Sequence, residues 1–313
     1  MNDRLLRFDG VSKFYGEVLG VNHVHLAIEP GITSLVGPNG SGKSTLLNLL
    51  TGLLNPSRGT VSVLGIPRSQ PQELFRLVGY AAQYDGFPRG ATARRHLQNV
   101  LGLHGLDRAA ARQRTGEVLE QVGLVHAADR KIAGYSKGMR QRVKLAQAIC
   151  HRPAVLLLDE PLNGLDPMVR AEMIELFKAQ AERGLHVVIS SHILHEVDVI
   201  SDRVVLLDGG YVVAKGAIEG VREEVEDEPL QVLVRCDRPS RLAARLLEKD
   251  HLVEVKIHPD QGGLLLSTRD ADGLYLELNR AVLEEDFAIE GVAPADSDVA
   301  AVYDYLIGPG GGR

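Results

Sequence analysis

The sequence predicts an α/β protein whose larger part carries a mostly parallel sheet and whose C-terminal part is a smaller α+β module. Three observations carry this reading. Apolar runs of strand length alternate with amphipathic helical stretches through the first two thirds of the chain. A glycine-rich loop, Gly37-Pro38-Asn39-Gly40-Ser41-Gly42-Lys43-Ser44-Thr45, lies between one such strand and the next helix. After an acidic stretch, shorter strands and helices follow in the order βαββαβ, the pattern of a ferredoxin-like split βαβ unit.

Taken in order, residues 5–11 and 21–28 read as strands, the second with clean alternation in His23-Val24-His25-Leu26. His23 and His25 share one strand face; with no third ligand nearby they read as surface residues. Pro30-Gly31 turns the chain into the apolar run 32–36, which enters the glycine-rich loop. Leu46, Leu47, Leu49 and Leu50 then repeat at helical spacing. Residues 60–64 and 77–82 are further strands, the latter ending at Gln83. The stretch 92–128 is helical, with one apolar stripe of His96, Leu97, Val100, Leu101 and Leu103 and another of Val118, Leu119, Val122 and Leu124. Ser136 opens another helix, whose apolar face includes Met139, Val143, Ala146, Ile149 and Cys150, so Cys150 reads as core. The run 154–158 is a buried strand stopped by Asp159-Glu160. Residues 173–181 form a helix, 186–189 a strand, and Asp208-Gly209-Gly210 marks a hairpin turn.

These readings divide the chain into a main domain over 1–218, an acidic linker over 219–228 and an α+β domain over 229–313. The linker holds six acidic residues and one arginine and reads as a solvated connector. In the last part, strands are expected at 230–235, 252–257, 263–268 and 288–292, helices at 240–248 and 271–283, and a final helix at 299–306, before a glycine-rich tail.

Composition excludes several classes. The net charge of −6 argues against a general nucleic-acid surface. The two cysteines, Cys150 and Cys236, form no metal-ligand spacing and fit a reduced compartment. The N-terminus leads straight into a strand-like segment, with no signal-peptide pattern. No apolar run approaches the roughly 20 residues that span a bilayer, so a membrane role has to come through a partner.

The loop fits G-x-x-x-x-G-K-[ST] in the strand–loop–helix context that a phosphate-binding loop requires. Its glycines let backbone N–H groups turn toward a polyphosphate, and the helix start adds positive potential. Lys43 can reach the β- and γ-phosphates of a nucleotide, and the Ser44 hydroxyl can ligate Mg²⁺. The apolar run ending in Asp159-Glu160 sets two carboxylates at the carboxyl edge of the sheet, where open α/β folds bind ligands. Asp159 can hold Mg²⁺. Glu160, pointing differently, can polarise an attacking water, a role that supplies about 10²–10⁴ in rate.

Shortly before Asp159 lies Tyr135-Ser136-Lys137-Gly138-Met139-Arg140-Gln141-Arg142. With this stretch, the chain from about residue 4 to residue 218 resembles the ATP-binding subunits of ABC transporters. The octapeptide looks like that family's signature, usually written LSGGQ. Tyr135 replaces Leu, Lys137 the first Gly and Met139 the Gln; Ser136 and Gly138 are kept. These departures resemble those of export-type ATPases that serve separate permeases. Ser136 is also a good helix cap, and both readings hold together.

The resemblance implies a RecA-like P-loop core with an antiparallel β subdomain and a helical arm. It also implies roles residue by residue. Tyr15 stands where the family stacks an aromatic on adenine. Gln83 matches the Q-loop, joining the Mg²⁺ shell and contacting the attacking water, with the following segment facing the permease. Asp166, in Pro161-Leu162-Asn163-Gly164-Leu165-Asp166, matches the D-loop and would act across a dimer interface. His192, in Ser190-Ser191-His192, matches the switch histidine. His195, three residues on, is incidental. The expected protein is an ATP- and Mg²⁺-dependent ATPase at the cytoplasmic face of the membrane. Two copies would pair head to tail, each ATP lying between Lys43 of one and Ser136 of the other, and would drive export through a transmembrane permease. The alternative is a soluble ABC-type ATPase of nucleic-acid repair or translation. Those carry two ATPase units or a long coiled-coil insertion, and neither feature occurs here. For the C-terminal domain, regulation, dimer support and permease docking all stay open, and the cargo is not written in the chain.

Overall fold

Alternating burial along Leu6–Tyr15 (β1) and Val18–Ile28 (β2) makes these strands a two-faced antiparallel pair, with Leu6, Phe8, Val24, Leu26 and Ile28 inward. Ile32–Val36 (β3) is buried at every position and leads through the glycine-rich loop into Lys43–Leu50 (α1). Arg58–Val63 (β4) and Ile66–Pro67 (β5) complete a four-stranded antiparallel sheet in the order β2-β1-β4-β5. Pro71–Leu77 (α2) and Val78–Ala81 (β6) precede the helical arm, Ala93–Leu103 (α3) and Arg108–Gln121 (α4). Lys137–Ile149 (α5), Val155–Asp159 (β7), Pro167–Glu182 (α6), His186–Ser191 (β8), Arg203–Asp208 (β9) and Tyr211–Ala217 (β10) follow.

The central sheet has six strands in the order β10-β9-β3-β8-β7-β6, parallel except for the β9–β10 hairpin. The computed structural model describes residues 5–192, 197, 199–217, 230–247, 252–257, 263–268, 270–285 and 287–294. The expected acidic linker, His195, the helix at 299–306 and the glycine-rich tail lie outside the described residues.

Alternation along β7 divides the core. Leu156 and Leu158 face α3 to α6, whereas Val155 and Leu157 face α1 and the antiparallel sheet. On that second side Leu46, Leu47, Leu49 and Leu50 of α1 are fully buried, each contributing about 1.5–3 kcal/mol. This fixes α1, and the loop before it, against the sheet.

Local signals set the helix starts. Thr92 caps α3, Asp107 caps α4, Ser136 caps α5 and Asp166 caps α6, each accepting from a first-turn N–H. One expectation is corrected. Leu103, placed on the apolar stripe of α3, is 89 % exposed. The stripe ends at Leu101, because the last residues of α3 extend past the packing surface of α4. Cys150 is core as expected, and burial pushes its thiol up to about 11.

The chain forms two compact units, Met1–Ala217 and Ile218–Arg313. The second contains Leu230–Cys236 (β11), Pro239–Leu247 (α7), Leu252–Ile257 (β12), Gly263–Thr268 (β13), Ala271–Glu285 (α8) and Ile289–Pro294 (β14). Its sheet runs β12-β13-β11-β14 with every pair antiparallel. That is the split βαβ order, closed over a core of Val232, Val234, Leu242, Leu264, Leu266 and Leu278.

Candidate active site

Because β3 is parallel to β8 and β9, its carboxyl end lies at the edge of the sheet where Asp159 of β7 and Ser190 of β8 also emerge. The loop after β3 has a shape that only glycine permits. Gly42 sits at φ 107°, and a Cβ on it would come within 2.6 Å of Val21 Cγ1 and 2.8 Å of the Gly20 carbonyl. A Cβ on Gly37 would run into the Leu207 carbonyl. Gly210 N–H, from the β9–β10 hairpin, donates to Ser41 O at 3.2 Å. Pro38, Asn39 and Gly40 make the turn between these anchors, with Gly40 at φ 86°.

α1 starts without a side-chain cap, so the unpaired N–H groups of its first turn and the positive end of its dipole are left to the loop. Ser41 Oγ is buried with no hydrogen-bond partner. An orphaned hydroxyl, an uncapped helix start and a lysine at one loop fit an anionic polyphosphate. Lys43 Nζ donates to Gly37 O at 2.7 Å and Pro38 O at 3.0 Å and stands 3.8 Å from Glu160 Oε1. Burial pulls the Lys43 ammonium below the usual lysine range, and the Glu160 and Asp159 carboxylates oppose that pull.

Asp159 is the hub of the carboxylate side. Its Oδ1 accepts from Ser44 Oγ at 3.1 Å and Ser190 Oγ at 2.6 Å, and its Oδ2 from the Tyr80 hydroxyl at 3.4 Å. Burial first, and then the Asp159 charge, push the Tyr80 phenol up. Ser44 and Asp159 offer the hard oxygen donors that Mg²⁺ takes. Among the described residues no three His, Cys, Asp or Glu gather to hold a metal ion. His23 and His25 pair with each other at 3.1 Å on the surface.

Glu160, one residue past β7, has φ 48°. A left-handed non-glycine residue costs about 1–3 kcal/mol. Two bonds hold it: Glu160 N–H donates to Ser190 Oγ at 2.8 Å, and Asn163 N–H to Glu160 O at 3.3 Å. The turn aims the buried carboxylate back over the loop, where His192 Nδ1 donates to Glu160 Oε2 at 2.7 Å. Gln83, Asn163 and Lys137 share with Glu160 a cavity of 280 Å³, large enough for water and a phosphate oxygen.

The remaining expected site residues lie around this centre. The Tyr15 hydroxyl is 3.4 Å from Thr45 Oγ1, and the residue is 45 % exposed at the rim of the loop. Ser136 Oγ accepts from Met139 N–H at 3.2 Å, and no hydrogen bond joins Ser136 or Gly138 to the glycine-rich loop among the described residues. A Cβ on Gly138 would come within 2.5 Å of Val169 Cγ1, so close packing of α5 on α6 demands glycine there. Tyr135 is buried and donates to Ala127 O at 2.6 Å, which explains an aromatic in place of leucine. The Lys137 side chain lies against Gly164. Asp166 Oδ1 accepts from Val169 N–H at 3.0 Å as the cap of α6. Sequence reasoning missed Ser190 and Tyr80, the partners of Asp159. The signal for Ser190 lies in Ser190-Ser191-His192, a stretch whose histidine draws the eye first.

Residues 21–163 match the family model described as ABC transporter. The Streptomyces peucetius daunorubicin/doxorubicin resistance ATP-binding protein DrrA is 33 % identical over 90 % of this chain and 87 % of its own length. The chain belongs to the ATP-binding subunits of ABC transporters. The Nod factor export ATP-binding protein I of Burkholderia orbicola is 36 % identical, covering 67 % of this chain and 70 % of its own. Among solved structures, a dimeric ATP-binding cassette in a post-hydrolysis state bound to ADP and Pi superposes with a TM-score of 0.63 at 27 % identity, over 68 % of this chain and 98 % of that one. As a member of this family the chain is an ATPase that binds ATP and acts through dimerisation.

Proposed function

We propose that this ATPase drives export through a separate transmembrane permease, held at the cytoplasmic face of the membrane by that partner. The observation that carries the reading is the reach of the DrrA similarity, which extends over 288 residues and so past the ATPase unit into the C-terminal one. Among the described residues no helix is long and apolar enough to cross a membrane; in this reading the passage for cargo is the permease.

In this reading the N–H groups of Gly40 to Ser44, Ser41 Oγ and Lys43 bind the ATP phosphates, and Tyr15 stacks on adenine. Ser44, Asp159 and Gln83 would hold Mg²⁺, which when bound would neutralise charge on the phosphates. Glu160 takes a proton from the attacking water as its oxygen bonds to the γ-phosphorus and the bond to the β-phosphate oxygen breaks. His192 holds the Glu160 carboxylate in line, and Gln83 orients the water from the cavity side. Ser136 and Gly138 arrive from a second copy, with Asp166 at the interface between copies. The N-terminus of α5 then faces the γ-phosphate and completes its coordination.

Co-expression with a candidate permease, a membrane protein sought among the neighbouring genes, tests the reading. The expected result is recovery of both chains in one membrane complex, with ATPase activity stimulated above that of the chain by itself and ATP-dependent cargo movement in inverted vesicles. Unstimulated hydrolysis, with the chain recovered apart from that membrane protein, would overturn it.

A further inference from the structure

Lys144 lies in the middle of α5, on the stripe of Gln141 and Ala148 that packs inward, and is 6 % exposed. A buried ammonium is costly unless every N–H finds an acceptor. Here each does. Lys144 Nζ donates to Ala82 O at 2.8 Å and Gln83 O at 3.0 Å, and stands 3.6 Å from Asp85 Oδ1. Burial pulls the Lys144 ammonium below the usual lysine range, and Asp85 opposes that pull.

One turn earlier on the same helix, Arg140 Nε donates to Asp85 Oδ2 at 2.7 Å, while its other arm donates to Tyr135 O at 2.6 Å. The chain after β6 is therefore clasped to α5 at Ala82, Gln83 and Asp85. The clasp also runs through Arg140 to Tyr135, directly before the cap of α5. Gln83 lines the cavity that Glu160 also lines. A glutamine on a free loop would sample many orientations there; a backbone pinned on both sides of its Cα does not.

We propose that Lys144 is a positioning residue for ATP hydrolysis: it locks the backbone of Ala82 and Gln83 to α5, so that Gln83 faces Glu160 and follows any displacement of the helix that carries Ser136. The proposal rests on the role assigned to Gln83 above. It makes the loop an extension of α5 in mechanical terms, because charge-assisted bonds to two successive carbonyls outlast the single neutral bonds of an ordinary turn.

The test is steady-state ATP hydrolysis by the full chain carrying Lys144→Met, which keeps the stem and removes the donors, alone and combined with Gln83→Ala. Lys144→Met is expected to lower kcat about tenfold with KM within about twofold, since the interaction matters for the reacting geometry and not for ATP capture. In the Gln83→Ala background the same change is expected to cost less than about twofold, because the two residues act as one unit. Independent, multiplicative losses would overturn the proposal, as would a rise in KM alone. A slow Gln83→Ala enzyme beside a normal Lys144→Met enzyme removes only the role of Lys144. A Gln83→Ala enzyme of normal kcat removes the role of Gln83 and this proposal with it. If Lys144→Met does not fold, Asp85→Asn takes its place: it weakens the clasp at its solvent side and is expected to lower kcat by about two- to threefold, and an unchanged kcat overturns the proposal.

Discussion

The helices α1 and α5 both begin near the reaction centre, and they begin in opposite ways. α1 follows Gly42 in a left-handed conformation and has no side-chain cap, and beside it Ser41 Oγ is buried without a partner. α5 follows Ser136, whose hydroxyl already satisfies a first-turn N–H. The first is built to be completed by an anion from outside the chain. The second is complete within the chain, so an anion there adds to a finished helix. The loop at α1 has no room for a side chain at Gly37 or Gly42. The start of α5 carries Tyr135, Lys137 and Met139 where the family pattern has other residues. In the mechanism proposed above, one end binds the nucleotide and the other is delivered to it.

That contrast can be broken by substitution, and the largest effect is expected between the two ends, at the carboxylate that serves both. Glu160→Gln should lower ATP turnover by about 10²–10⁴ while keeping ATP binding and favouring a nucleotide-bound dimer; near-normal turnover in a single-turnover assay would remove Glu160 as the base. Next comes Lys43→Ala, expected to weaken ATP binding by about 10- to 150-fold, the loss of one charged hydrogen bond of about 1.5–3 kcal/mol. Fluorescent-nucleotide titration measures it. Gly138→Ala is expected to cost about 1–3 kcal/mol of stability through its clash with Val169, and Val169→Ala in the same chain should restore the melting temperature. Should activity stay low in that repacked double variant, Gly138 serves phosphate approach as well as packing. The smallest change is Ser136→Ala, worth about 1 kcal/mol in denaturant unfolding as a lost cap. ATP affinity of the isolated chain should be unchanged by it. Equal weakening by Lys43→Ala and Ser136→Ala would erase the distinction between the two helix starts.

What is legible in the sequence is local. Residues 37–45 are consecutive, and their spacing dictates both the turn and the chemistry, so the loop is recognisable from its residues alone. The same holds for Asp159 and Glu160, because a buried strand that stops in carboxylates has its edge position built in. The order βαββαβ likewise implies the sheet of the C-terminal unit, since the split unit admits one right-handed arrangement. What stays hidden depends on register between strands distant in sequence. Ser190 reaches Asp159 only because β7 and β8 pair Asp159 with Ser190, and Tyr80 reaches it across the β6–β7 pair. Leu103 is misplaced because periodicity gives a helix its apolar face but not the point where that face leaves the core. Lys144 escapes notice for the opposite reason: a lysine in a helix is taken for surface, although Val143, Leu145 and Ala146 around it already crowd that turn with buried side chains.

The bond from Gly210 to Ser41, and the Leu207 carbonyl pressed against Gly37, have a temporal consequence. The motif is synthesised early, and the hairpin that braces it is synthesised late. β3 itself gains its neighbours β8 and β9 only from that later part of the chain. A nascent chain stalled before Arg203 on the ribosome therefore carries every residue of the phosphate loop without the wall that shapes it. Such long-range closure slows folding and delays the competent state until the unit is whole. The shape of the phosphate loop is thus a property of the whole unit, completed by its last strands rather than by the loop's own residues.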